Sequence, residues 1–183
     1  MREQSRDGPT TQPAFVPGGE VDQYPDEWKT TLSDAEVQAS FSVIVPSHPS
    51  AGAQNITAVY LWPDGSAVAL QFPPPAPVTS PIRQEYIEVW ESPWVGGDPQ
   101  ADYARDMAEA PSEAKALYDI DGVVALGVTA HSPSDIEGAD PAFLRFVVNG
   151  IEVEVSGGES IDTLIAIAQT IVGSARSATE GPA

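Results

Sequence analysis

Apolar and polar residues alternate most cleanly between Ala142 and Val172. Asn149-Gly150 splits this stretch, and a type I′ turn there sets Val148 opposite Ile151, Phe146 opposite Val153 and Leu144 opposite Val155. These residues then share one apolar face, while Arg145 meets Glu154 on the other as a favourable cross-strand pair. Gly157-Gly158 ends the hairpin and Ser160 is placed to cap a helix. Ile161, Leu164, Ile165, Ala168, Ile171 and Val172 follow at helical spacing. Such a stripe needs a sheet face to cover, so hairpin and helix predict one packing unit.

The pattern elsewhere is coarser but still directional. Ser33 and Glu36 have the spacing of a capping box, which predicts a short helix over about 34–39 with Leu32 and Val37 as its hydrophobic staple. Phe41 to Val45 reads as a strand ended by Pro46 and Pro49. Ile56 to Phe72 reads as a second hairpin around Pro63-Asp64-Gly65-Ser66, with Trp62 opposite Ala67. Its faces are Val59, Leu61, Val68 and Leu70 on one side, and Ala58, Tyr60, Trp62, Ala67 and Ala69 on the other. A Pro-rich connector over 73–81 leads to a strand at 82–91, with Ile87 and Val89 on one face and Tyr86 and Trp90 on the other. Asp98-Pro99 starts an acidic, weakly amphipathic helix, with a further helical turn expected over 112–117. Val123 to Thr129 is a Val-rich strand, and 131–141 a polar loop.

Together these elements predict an α+β fold, a curved antiparallel sheet of about six to seven strands forming a half-barrel. The C-terminal helix is expected on its concave face. Residues 1–31 read as a disordered leader, 32–173 as a single domain and 174–183 as a disordered tail. Within the leader, Gln23 to Trp28 has the composition of a short docking element, against the simpler reading of a loose tail.

Composition narrows the function classes. The formal net charge is −19, from 27 acidic residues against 8 basic ones, and such a field repels nucleic acid and anionic headgroups. The absence of Cys removes disulfides, thiolate catalysis and thiolate metal sites. No run approaches the roughly 20 apolar residues of a membrane span. The N-terminal stretch has no apolar signal core, so a complete chain is expected to stay in the cytoplasm.

The segments LSDAEVQASFSVIVPSHP, the Pro-Asp-Gly hairpin and LRFVVNGIEVEVSGGESIDTLIAIAQTIV, spanning roughly residues 32–173, resemble a bacterial domain of uncharacterised function. That domain occurs in sporulation lipoproteins and in extracellular parts of anti-sigma and related regulators. Ser160, Leu164, Ile165, Ala168 and Ile171 stand at the matching positions of its closing helix. The resemblance implies a lipoprotein-carrier-like half-barrel, a sensor role and an extracytoplasmic location. The chain departs from the pattern in its Pro-rich connector, its acidic insert at 98–121 and its lack of a lipid-attachment Cys.

Motifs for chemistry are sparse. His48 and His131 are the two histidines, both in loops, and with carboxylates they are the candidates for a metal-dependent hydrolase. No nucleophile elbow is present. Asp119 and Asp121 before Gly122 resemble a fragment of a calcium loop, yet Val123 and Val124 stand where ligands are needed, so a turn is the better reading. Gly157-Gly158 before a helix suits an anion, but Glu159 already supplies negative charge, which favours a cap. No metal or cofactor is expected.

One surface remains. Tyr60, Trp62, Tyr86 and Trp90 point away from the aliphatic faces if their strands share a sheet. Gathered on one face they mark a site for a protein or lipid-like ligand, or else a second core layer under the leader or the acidic insert. The leading expectation is a non-enzymatic interaction or sensor module using that face. The hydrolase is one alternative, and a structural domain of acidic, salt-adapted composition is the other.

Overall fold

Both I′-type turns carry the backbone their sequences demand. Asn149 and Gly150 have φ of 50° and 76°, and Asp121 and Gly122 have 52° and 84°, a left-handed region that Asn, Asp and Gly tolerate best. The computed structural model describes residues 24–73, 86–109, 114–129 and 141–180. In chain order the strands are β1 (Lys29–Thr30), β2 (Ala58–Leu61), β3 (Val68–Phe72), β4 (Ile87–Pro93), β5 (Lys115–Ile120), β6 (Val123–Val128), β7 (Ala142–Val148) and β8 (Ile151–Gly157). The helices are α1 (Leu32–Gln38), α2 (Pro99–Glu109) and α3 (Ile161–Glu180).

The strands form one open antiparallel sheet in the order β1-β2-β3-β4-β8-β7-β6-β5. It is two four-stranded meanders joined where β4 pairs with β8. The register of both anticipated hairpins is as the sequence predicts: Val148 lies opposite Ile151, Phe146 opposite Val153, and Val59 opposite Leu70.

One face is the core. Val59, Leu70, Val89, Val155 and Leu144 make a continuous row across five strands, each at most 4% exposed. On that face α3 buries Leu164, Ile167, Ala168, Ile171, Val172 and Ala175, and it packs against β5 to β8. Ser160 caps it by accepting the Thr163 N–H at 3.3 Å. The opposite face carries the mixed row Tyr60, Ala69, Trp90, Glu154 and Arg145. Over its C-terminal half lies α2, which packs on β5 and β6 and buries Tyr103. Over its N-terminal half lies the segment Tyr24–Thr30.

Several expectations are corrected. The sheet has eight strands rather than six or seven: residues 41–45 form none, while β1 and β5 are added. Residues 41–45 instead cross the core face as irregular chain, because the Ile44 N–H is taken by the Glu91 carboxylate and not by a neighbouring strand. Over the described part of the helical turn expected at 112–117, the chain forms β5 instead, paired residue for residue with β6 through the Asp121-Gly122 turn. Thr31, not Ser33, caps α1, accepting the Asp34 N–H at 3.1 Å. The staple fails because Val37 is 81% exposed, with Ala35 buried in its place. Residues 24–30 belong to the folded domain, and α3 runs through Glu180, well beyond Val172. Residues 1–23 of the expected leader, the connector residues 74–85, residues 110–113, the loop residues 130–140 and residues 181–183 of the expected tail lie outside the described residues.

Candidate functional site

The aromatic face takes its shape from one substitution in size. Tyr60 on β2 and Trp90 on β4 flank Ala69 on β3, and Trp62 stands beside Ala67 at the same hairpin. Two large rings either side of a small residue leave a furrow along β3, floored by Ala67 and Ala69, which are 4% and 0% exposed. Its further end is polar. Gln71 and Glu88 are paired across β3 and β4, and the Gln71 amide donates to Glu88 Oε2 at 3.0 Å.

The structure therefore brings Tyr60, Trp62, Tyr86 and Trp90 onto one face, as the alternation predicts, and all four are half-buried. They are not bare. Tyr24 packs against Tyr60 and Trp62 with ring centroids 5.0 and 5.1 Å away, and Trp28 packs on Trp62 at 5.0 Å. The Tyr24 phenol crosses β3 and donates to Glu88 Oε1 at 2.9 Å. Burial raises the Tyr24 hydroxyl well above its ordinary range, and the nearby Glu88 charge adds to this, so the phenol stays a donor. Burial also raises the Glu88 carboxyl, while the hydrogen bonds from Gln71 and Tyr24 pull it back. Tyr86 is raised by burial and by Glu88.

Beyond Trp90 the face becomes ionic. Arg145 donates through Nε and a terminal nitrogen to Glu154 Oε2 at 3.0 and 2.8 Å, and lies 3.8 Å from Glu152. Its guanidinium also sits 5.7 Å from the centre of the Phe143 ring. Glu154 is 3% exposed, and burial holds its carboxyl above the usual range against the pull of Arg145. The Tyr103 hydroxyl of α2 is buried near this cluster, without a hydrogen-bond partner among the described residues.

On the core face stands a second surprise. Glu91 is fully buried between Val68 and Val153, and accepts the Ile44 N–H at 2.9 Å. Burial pushes its carboxyl up to about 8, against the downward pull of that hydrogen bond.

Among the described residues the remaining candidates are not brought together. His48 Nδ1 accepts the Ser50 N–H at 3.2 Å, and His131 lies outside the described residues. Among the described residues no group of three or more His, Asp or Glu could hold a metal ion. Asp119 Oδ1 accepts the Gly122 N–H at 2.8 Å, which makes the calcium-like fragment a turn. No helix of the described residues is long and apolar enough to cross a membrane.

Sequence reasoning did not single out Glu88, Glu91 or Gln71, nor assign Tyr24 and Trp28 to this face. The alternation of Ile87 and Val89 with Glu88 and Trp90 already places Glu88 beside Trp90. Comparisons with family models, curated proteins and solved structures give no match.

Proposed function

We propose that this chain is a non-enzymatic interaction module that takes a protein ligand on the aromatic face of its sheet. The observation that carries the reading is the furrow along β3, walled by Tyr60 and Trp62 on one side and Trp90 on the other. Large rings around a small-residue floor are the makings of a binding hot spot, because each ring buries much area at little cost in side-chain freedom. The buried carboxylates of Glu88 and Glu154 add acceptors that fix orientation. Together with a net charge of −19 they favour a neutral or basic peptide over an anionic lipid.

The test is selection of a displayed random-peptide library on the full chain. Selected peptides should lose about tenfold or more in affinity for Trp62→Ala or Trp90→Ala, a loss typical of a buried aromatic anchor. The melting temperature of at least one variant should stay within a few degrees of wild type. Vesicles of neutral phosphatidylcholine, sedimented with the protein, should retain none. Peptides that bind both variants as well as wild type would overturn the reading, as would a library that yields none.

A further inference from the structure

The segment Tyr24–Thr30 is seated in the furrow as a ligand would be. Its 3-10 turn at Asp26–Trp28 buries no residue, and its strand is two residues long, pairing Lys29 with Tyr60 and Thr30 with Val59. Two of its side chains, Tyr24 and Trp28, are half-buried against the aromatic face. The Tyr24 ring rests on Tyr60 and Trp62, and its hydroxyl reaches a carboxylate that is 3% exposed. The acceptor is held in place independently of residues 24–30, hereafter the strap, because Gln71 on the adjoining strand donates to its other oxygen. Walls, floor and acceptor all come from β2, β3 and β4, so the slot is built without the segment that fills it.

We propose that the furrow is a tyrosine-recognition slot, occupied in the resting chain by Tyr24 and surrendered to an extended protein segment that presents a tyrosine side chain. This rests on the aromatic face being the binding site and names the chemistry of its partner. Lifting the strap leaves β2 as a sheet edge with unpaired backbone groups, which an incoming strand satisfies in the same way as β1. The phenol oxygen carries the selectivity. A phenylalanine in the slot would leave Glu88 Oε1 buried and without its donor, a loss that exceeds the small gain from a more apolar ring. The strap is thus a competitor tethered through Thr31, which is extended and leads directly into α1. Any partner binds more weakly than the slot allows, in inverse proportion to the fraction of time the strap is lifted.

The probe is a fluorescent peptide of residues 24–30, YPDEWKT, with a counterpart carrying Phe for Tyr, titrated into the full chain and into its Tyr24→Ala variant. The tyrosine peptide should bind the variant about tenfold or more tighter than it binds wild type. On the variant, the phenylalanine peptide should be about tenfold or more weaker than the tyrosine one. Thermal unfolding of Tyr24→Ala is followed alongside; if its cooperative transition is lost, Trp28→Ala loosens the strap instead. Equal affinity for the two peptides, or no binding by a folded variant, overturns the proposal. A wild-type dimer by light scattering, with straps exchanged between copies, also overturns it, because the occupant is then a second copy of this chain. Library peptides that depend on Trp90 yet neither prefer tyrosine nor compete with YPDEWKT would sink the tyrosine slot and leave the binding face standing. Failure of every peptide removes both.

Discussion

Glu91 occupies a position where the pattern of β4 calls for an aliphatic residue. Its face is shared with Ile87 and Val89, its neighbours across the sheet are Val68 and Val153, and its carboxyl accepts the Ile44 backbone N–H. An ionised carboxylate there would be costly, since burial disfavours charge far more than one N–H restores. With the folded carboxyl near 8 and an ordinary value of 4.5, the folded chain holds a proton that the unfolded chain releases across that window. Unfolding then liberates protons, so stability falls as pH rises from about 4.5 to 8 and levels above it. The slope reaches at most about 1.4 kcal/mol per pH unit for one group. Urea unfolding at several pH values should show this decline in wild type and a flatter profile in Glu91→Gln. Parallel profiles would assign the pH dependence to other groups such as Glu88 and Glu154, which burial also raises.

Among the elements, α3 shows how a sequence signal can be read too early. Gly173 follows the last expected apolar position and looks like a helix stop, yet Ala175 continues the buried stripe and the helix runs on to Glu180. The extra turns are tied to both hairpin turns of the C-terminal meander. Asn149 Nδ2 donates to the Ala175 carbonyl at 2.8 Å and to Thr179 Oγ1 at 3.1 Å, and Arg176 donates to the Asp121 carbonyl at 2.6 Å. Removing residues 174–183 should therefore lower unfolding stability by about 1–3 kcal/mol, measured in urea, where a dispensable tail would cost nothing. The hairpins themselves were legible because two-residue turns fix register from local chemistry alone. β5 was legible in principle: Asp121-Gly122 is the same kind of turn signal, and it sets Ile120 opposite Val123. Its flank, Ser112 to Ala116, favours helix by composition, and that local preference obscures the strand before the turn. Residues 41–45 show the converse. Their alternation is strand-like, but their partner is the side chain of Glu91, 47 positions away, which no local pattern reveals.

At the scale of the whole molecule, the aromatic row was legible because period-two alternation assigns faces whatever the strand order. A cover supplied by the leader is one of the two readings that alternation leaves open, but which of its residues reach the face is not local information. That Tyr24 reaches Glu88 depends on a contact 64 residues apart, and on β1 adding itself to an edge. The order of strands carries a consequence of its own. Every pairing except one joins strands that follow each other in sequence; the exception is β4 with β8, where Glu88 meets Ser156 and Pro93 meets Ile151. A cut at the exposed Gly96-Gly97, before α2, would separate the two meanders and sever only one connection. Fragments 1–96 and 97–183 should thus complement one another, recovering the strand signal of the intact chain by circular dichroism when mixed and little of it alone. A fragment that folds fully by itself would mean that β4–β8 pairing is not what closes this protein, and the seam between its halves would be a true domain boundary.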